Sequence, residues 1–315
     1  MSPPLAELRG VSRLFPIPGR RGSVLRAVDG VDLAVRRGEL VGLVGESGCG
    51  KSTVARIAAG LLPPSAGRVL IDGQDVAALP AAEARAVRLR VQMVFQNPHA
   101  SLNPRFTVEE IVGEAVRYHR LVPRVALADH VAAQLLRVGL DPALRRNHPH
   151  RFSGGQRQRI GIARALAVRP DLLVCDEPVT ALDVSVRAGI LNLLLDLRDR
   201  DGLAILFISH DLSVVGHICD RVVVMYLGRV VEEGPVDALF ERPRHPYTQA
   251  LLADSRSAVT EGAVPVRGEA PSLAQRPPGC PFHPRCPMAR LDCRREVPAL
   301  RGVGVGHRVA CLMAG

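Results

Sequence analysis

Residues 45–52 read Gly45-Glu46-Ser47-Gly48-Cys49-Gly50-Lys51-Ser52, and no other stretch restricts the fold so tightly. Before them, GELVGLVG has the unbroken apolar character of a buried strand; after them, STVARIAAGLL has helical character up to Pro63-Pro64. A strand that turns through glycines straight into a helix aims backbone N–H groups and the positive end of a helix at one point. Such a loop cradles phosphate, with Lys51 reaching the β- and γ-phosphates and the Ser52 hydroxyl placed to ligate Mg²⁺. Composition sharpens the point: of 41 Lys+Arg residues, 40 are arginine, and Lys51 is the single lysine. Ammonium is a compact point charge and guanidinium a planar fork, so a chain that keeps one lysine keeps it for its shape.

Strand and helix signals alternate around this loop. VLRAVDGVDLAV (24–35), RVLID (68–72) and VQMVF (91–95) read as strands. From Thr107 the period changes. Val108, Ile111, Val112, Ala115 and Val116 share a helical face, Thr107 and Glu110 are spaced as a capping box, and Leu127, Val131, Leu135 and Val138 form a second stripe. These signals place an all-helical insert at roughly 102–150. A helix then follows Gly155 up to the Pro170 stop, and LLVCDEP is a buried strand ending in carboxylates. GILNLLLDLRDR reads as a helix, AILFISH as a strand, and VVVMYLGRVVEEG as a hairpin turning at Leu227-Gly228. The order predicts an α/β fold with a mostly parallel sheet and ligand loops at its carboxyl ends. Beyond about residue 255 the text changes, with eight prolines between Val264 and Pro298 and four of the seven cysteines.

At 315 residues the chain is about twice a typical domain, so two units are expected. Apolar residues at 47% and charged residues at 23% exclude general disorder. No run approaches the ~18 apolar residues of a membrane span, and MSPPLAELRG lacks the apolar core of a signal peptide. The chain is therefore expected to cross no bilayer by itself and to stay in the cytoplasm. A net charge of +10 permits contact with nucleic acid or anionic lipid, but aromatics at 3% and the absence of a dense basic block do not single these out.

Asp176 and Glu177 end an apolar strand, a costly position unless a cation or water uses them. Asp176 suits a Mg²⁺ ligand and Glu177 a base that polarises water, while His210 ends the next strand at the same edge. Gln96 follows VQMVF, Ser153-Gly154-Gly155-Gln156 opens a helix, and Asp183 lies in Ala181-Leu182-Asp183. Taken together and in this order, these segments resemble the ATP-binding cassette (ABC) ATPase family over about residues 5–254, matching its Walker A, Q-loop, signature, Walker B, D-loop and H-loop. The resemblance implies a P-loop ABC ATPase core with N-terminal antiparallel strands. It implies ATP bound by Gly45, Ser47, Gly48, Cys49, Gly50, Lys51, Ser52 and Thr53, with Phe15 in the adenine-stacking position. Mg²⁺ would be held by Ser52, Gln96 and Asp176, with Glu177, His210 and Gln96 catalytic. The family's sandwich dimer implies that Ser153, Gly154, Gly155, Gln156 and Asp183 close over ATP held by the partner's loop.

NPHASLNPR (97–105), EPVTALDVS (177–185), HPYTQALL (245–252) and GCPFHPRCP (279–287) resemble the oligopeptide/dipeptide importer ATPases, and VFQNPHASLNPR is more similar to the second of their two paired ATPase subunits. This implies a cassette over 1–254 with a helical subdomain at about 97–165, and a Cys/Pro-rich C-terminal extension over 255–315. It implies work at the cytoplasmic face of the membrane with a second ATPase subunit, as hetero- or homodimer, two membrane permease subunits and, indirectly, a solute-binding protein. No nucleic acid is expected. Phe152 replaces a family leucine and Val179-Thr180 a Thr-Ser pair, and neither is expected to touch a catalytic position. Two other classes remain as alternatives. Soluble ABC ATPases acting on DNA or ribosomes usually carry two cassettes, a long coiled coil or a zinc insertion, none of which the sequence displays; a redox sensor built on the tail is at odds with a complete hydrolytic set.

Cys49 in the loop, Cys175 in a core strand and Cys219 in an apolar helix read as small buried side chains. Cys280, Cys286, Cys293 and Cys311 differ, crowding into a proline-rich tail with few periodic apolar positions, which should struggle to order itself without a constraint. Four thiolates suit a soft metal or an iron–sulfur cluster. Resemblance to the importer family's C-terminal region implies a [4Fe–4S] cluster in some members; zinc, with His283 or His307, and no metal at all stay open.

Lys51→Arg is the mildest test of the shape requirement. Guanidinium should not fit a ring of backbone amides drawn around phosphate, so the variant should fold yet lose nucleotide binding or hydrolysis. Full activity would mean that the lone lysine carries no geometric role.

Overall fold

The apolar runs LVGLV, LLVCD and AILFIS have no polar face because water reaches neither side of them. The computed structural model describes residues 3–17, 19, 23–180, 182–256 and 271–314. Ala181, part of the loop after Phe15 and the start of the extension (257–270) lie outside the described residues. The strands are β1 (Ala6–Pro16), β2 (Val24–Val35), β3 (Leu40–Val44), β4 (Ala66–Ile71), β5 (Gln74–Asp75), β6 (Val91–Val94), β7 (Leu172–Asp176), β8 (Ala204–Ser209), β9 (Arg221–Tyr226), β10 (Arg229–Pro235), β11 (Arg301–Gly304) and β12 (His307–Val309). The helices are α1 (Lys51–Ala58), α2 (Ala81–Leu89), α3 (Pro98–Ser101), α4 (Val108–Tyr118), α5 (Leu127–Arg137), α6 (Gly154–Leu166), α7 (Val184–Asp201), α8 (Leu212–Ile218), α9 (Val236–Glu241) and α10 (Pro246–Arg256).

One sheet runs β11-β12-β10-β9-β3-β8-β7-β6, parallel from β9 to β6 and antiparallel beyond β9; a second, antiparallel sheet runs β2-β1-β4-β5. Alternation along the central strands divides the interior in two. Leu40, Val44, Leu173, Cys175, Ile205 and Phe207 face the helical side. Val41, Leu43, Leu172, Val174, Leu206 and Ile208 face α1 and the antiparallel sheet. The helical insert packs on the first core through the stripes expected of it, and Thr107 and Glu110 form both halves of the capping box.

Some elements depart from the sequence reading. Helix α1 stops short of the prolines, because Gly60 at φ 67° lets its N–H bond to Ile57 O and the Leu61 N–H to Arg56 O, closing the last turn. Cys219 is the residue that terminates α8 and is not inside it. Strand β1 is disguised by register shifts near Leu8, Val11 and Arg13, and α2 buries only Ala84 and Val87. The described tail orders itself by borrowing cassette surface. Strand β12 adds to the edge of β10, where the fully buried Glu232 accepts from His307 Nε2 at 2.8 Å and from the backbone N–H groups of Arg244 and His245. Arg276 pairs with Asp29 of β2, which also binds Arg26 and Arg229. Phe282, 1% exposed, stacks edge-on to Tyr226 and tilts against Tyr247.

Phe282→Ala should therefore cost about 3–5 kcal/mol, the usual price of a buried ring. A denaturant melt should show the loss, and limited proteolysis should cut the segment after residue 271 sooner than the central sheet.

Candidate functional site

The parallel register brings the ends of β3, β6, β7 and β8 to one edge: Val44 lies beside Ser209, Asp176 beside Ile208, and Val94 beside Cys175. At that edge the phosphate loop leaves β3 and enters α1. Gly50 has φ 109°, and a Cβ there would lie 2.3 Å from the Ala27 carbonyl oxygen, so only glycine fits. Lys51 is 4% exposed and its Nζ donates to the carbonyls of Gly45 and Glu46 at 2.7 and 2.8 Å. Thr53 N–H bonds to Gly50 O, and the Cys49 carbonyl accepts from Gly228 of the β9–β10 turn, which pins the loop to that hairpin. Ser47 and Gly48 form its exposed crown. Cys49 is enclosed, and burial pushes its thiol up. A cavity of about 340 Å³ opens against the crown, bordered by Leu25, Tyr226 and Pro271–Leu273. Phe15 is not part of that border; its β2 partner Leu25 is, while Arg13 covers the Phe15 ring at 4.9 Å.

Ser52 Oγ donates to Asp176 Oδ1 at 3.0 Å. Burial pushes the Asp176 carboxyl above the usual carboxylate range, with the Glu177 charge adding and the Ser52 hydrogen bond opposing. A hydroxyl and a crowded carboxylate facing each other are the oxygen donors a hard divalent cation takes, so the residues fit Mg²⁺. Glu177 sits at φ 47°, a left-handed conformation unusual for a residue other than glycine, held by its N–H bonding to Ile208 O at 3.0 Å. Its Oε2 accepts from Gln96 Nε2 at 3.0 Å and from Thr180 Oγ1 at 3.1 Å, and its Oε1 lies 3.3 Å from His210 Nδ1. Gln96, Glu177 and His210 are thus brought together. Thr180 joins them, against the expectation that the Val179-Thr180 departure touches nothing catalytic; the turn that bonds Thr180 N–H to Glu177 O returns its hydroxyl to the carboxylate.

Ser153 caps α6, its Oγ accepting from Gln156 N while Gln156 Oε1 accepts from Ser153 N. Gly155 is required by packing, since a Cβ there would fall 2.2 Å from Val186 Cγ1 of α7. Asp183 precedes α7, exposed and making no capping bond. The start of α6 thus lies against the start of α7, with Ser153 and Asp183 exposed and Gly155 buried between the helices. Among the described residues, Ser153 to Gln156 make no hydrogen bond to the phosphate loop of the same chain.

In the tail, Cys280, Cys293 and Cys311 are buried and Cys286 half-buried, with Cys280 N–H bonded to Cys293 O. Burial pushes the Cys280 thiol up to about 11, and the other three cysteines add to the shift; Cys286 is raised by burial and by Cys311 and Cys293. Among the described residues no three His, Cys, Asp or Glu side chains close around a point that would hold a metal ion, so the expected four-cysteine ligand set is not assembled there. His283 Nδ1 is engaged with Cys280 O and His307 Nε2 with Glu232, which leaves one ring nitrogen of each uncommitted by these bonds. Sequence reasoning missed Arg285 and Tyr247, which bond to Glu46 of the phosphate loop, and Tyr226, which bonds to Arg285; HPRCP and HPYTQ gave no local sign of that reach.

Comparison with known proteins agrees with this geometry. The ABC transporter family matches residues 28–180, and the family described as "Oligopeptide/dipeptide transporter, C-terminal region" matches 231–293. The chain is 49% identical to the probable peptide ABC transporter ATP-binding protein y4tS of Sinorhizobium fredii, covering 99% of this chain and 90% of that one. It is 46% identical to the oligopeptide transport ATP-binding protein AppF of Bacillus subtilis, covering 98% and 96%. Among solved structures it is similar to a dimeric ATP-binding cassette in a post-hydrolysis state with ADP and Pi, at TM-score 0.66 and 29% identity, over 73% of this chain and 98% of the other. A similar match joins it to cbiO1 of Clostridium perfringens, at TM-score 0.66 and 28% identity, over 76% and 92%.

Proposed function

We propose that this chain, which belongs to the ABC transporter family of ATP-binding proteins, is the ATP-hydrolysing subunit that powers a membrane importer of peptides or a related small solute. The observation that carries the hydrolytic role is the Glu177 carboxylate, held beside Gln96 and His210 at the end of the strand that also delivers Asp176. In this reading Gly45, Ser47, Gly48, Cys49, Gly50, Ser52 and Thr53 bind the ATP phosphates and Lys51 neutralises their charge. Ser52, Asp176 and Gln96 would hold Mg²⁺, which would supply charge neutralisation at the phosphate oxygens. Glu177 orients and polarises the attacking water, and His210 and Thr180 fix its carboxylate. Phe15 serves the adenine.

Two such chains, alike or of two kinds, would face each other. Ser153 to Gln156 and Asp183, at the adjoining starts of α6 and α7 and with the Asp183 carboxylate uncommitted by capping, would then complete the partner's ATP site. A groove of about 570 Å³ between α1, α2 and the helical insert supports docking of a membrane subunit. Phe95, next to Gln96, lines it, and Tyr118, 73% exposed, stands at its side. No helix among the described residues is long and apolar enough to cross a membrane, so attachment at the cytoplasmic face would come through permease subunits. Residues 1–254 would form the cassette and 255–315 the extension. If the extension holds a [4Fe–4S] centre, Cys280, Cys286, Cys293 and Cys311 would be its ligands, drawn together around it as the thiolate-only donor set requires.

Glu177→Gln keeps the shape and removes the charge. It should bind ATP, lock the paired cassettes closed and lower turnover by about three orders of magnitude, the scale of a lost general base. Near-normal turnover would falsify the assignment. Anaerobically purified chain should be brown, with iron and sulfide each near four per chain, as a [4Fe–4S] centre requires. About one zinc per chain, or no metal with the tail still protease-resistant, would rule that centre out.

A further inference from the structure

One charged group of the C-terminal segment reaches into the phosphate loop itself. Arg285 is 8% exposed, and its two Nη atoms donate to the two carboxylate oxygens of Glu46 at 2.8 and 2.9 Å. Glu46 is the second residue of the loop. Its backbone N–H donates to Tyr247 Oη at 2.8 Å, and its carbonyl accepts from Lys51 Nζ. Arg285 is itself placed by Tyr226, whose hydroxyl lies 3.4 Å from Nη1, and by the rings of Tyr226 and Phe282 at 5.9 and 6.0 Å. Two of the three tyrosines in the chain are spent on this one junction.

A carboxylate within a loop that must receive a polyanion repels it, and partial burial weakens the screening that water would provide. A bidentate guanidinium cancels that charge and fixes the carboxylate in one orientation. We propose that Arg285 is a positioning residue for nucleotide binding: by neutralising and holding Glu46, it sets the grip of the phosphate loop on ATP. The C-terminal segment is then part of the ATP site of its own chain. The inference rests on the ATP-binding reading above. It also gives the tail a function that does not depend on what the cysteines hold, because Arg285 lies between Cys280 and Cys286 in the stretch that packs on Tyr226.

The test is equilibrium binding of a non-hydrolysable ATP analogue to the full chain, with steady-state ATPase kinetics alongside. Arg285→Gln should weaken binding about tenfold, as expected from loss of a charge-assisted pair, and raise KM for ATP while kcat stays within about twofold. Glu46→Gln alone should stay within about threefold of the wild type, since it removes the repulsion together with the pair. The double variant Arg285→Gln, Glu46→Gln should recover to that same level. A purely structural arginine would show no such rescue. Unchanged affinity in Arg285→Gln overturns the inference, and so does a loss that the second substitution leaves unrepaired. Should Arg285→Gln fail to fold, Arg285→Lys carries the test: it keeps the charge without the fork, so its affinity should fall modestly and Glu46→Gln should abolish the difference. A lysine variant indistinguishable from wild type in affinity and KM would overturn the inference as well. A wild-type chain that binds no nucleotide would bring down the ATP reading, and this inference with it.

Discussion

The site depends on the parallel register of β3 with β8 and β9. Five adjacent strands running one way deliver their carboxyl ends to one edge, and the backbone ladder holds Val44 beside Ser209 and Asp176 beside Ile208 there. Any slip by one residue would exchange the two faces of these strands, sending Leu43 and Val174 into the helical core and Val44 and Cys175 out of it. Because both faces are buried, that slip is costly. Register is therefore enforced by the cores, and the loops inherit their positions from it.

Electrostatics at that edge follows from the same placement. Asp176 and Glu177 emerge from a buried strand side by side, and each finds a different remedy. Asp176 takes the Ser52 hydroxyl and sits where a divalent cation would relieve it. Glu177 turns through a left-handed backbone so that its carboxylate faces away from the strand, towards Gln96, Thr180 and His210. The strain at Glu177 is the geometric cost of turning two adjacent carboxylates to different partners.

The tail repeats this economy. Proline-rich and poor in periodic apolar residues, it nonetheless lays Phe282 against Tyr226 and Tyr247, sets Arg276 on Asp29, and ends by adding β12 to the sheet edge. Burial holds His245 down at about 3, so its neutral Nδ1 can accept the Tyr247 N–H and steady the ring whose hydroxyl meets the phosphate loop. Tail and catalytic edge thus share side chains.

Much of this was legible in the residues alone. GxxxxGKS with a lone lysine, a strand ending in Asp176-Glu177, His210 after AILFIS, and the Thr107–Glu110 capping box are local signals, each set by neighbours a few positions away. Chain-local chemistry of that kind determined the strand–loop–helix order, the phosphate loop and the candidate base. Strand β1, the role of Thr180, and the Arg285–Glu46 pair were not legible. Irregular register masks the first, a tight turn makes the second, and the third spans a separation in sequence that no periodicity encodes. Only tertiary structure decided those, because which distant charge lands on a loop carboxylate depends on how the aromatic cluster beneath it packs.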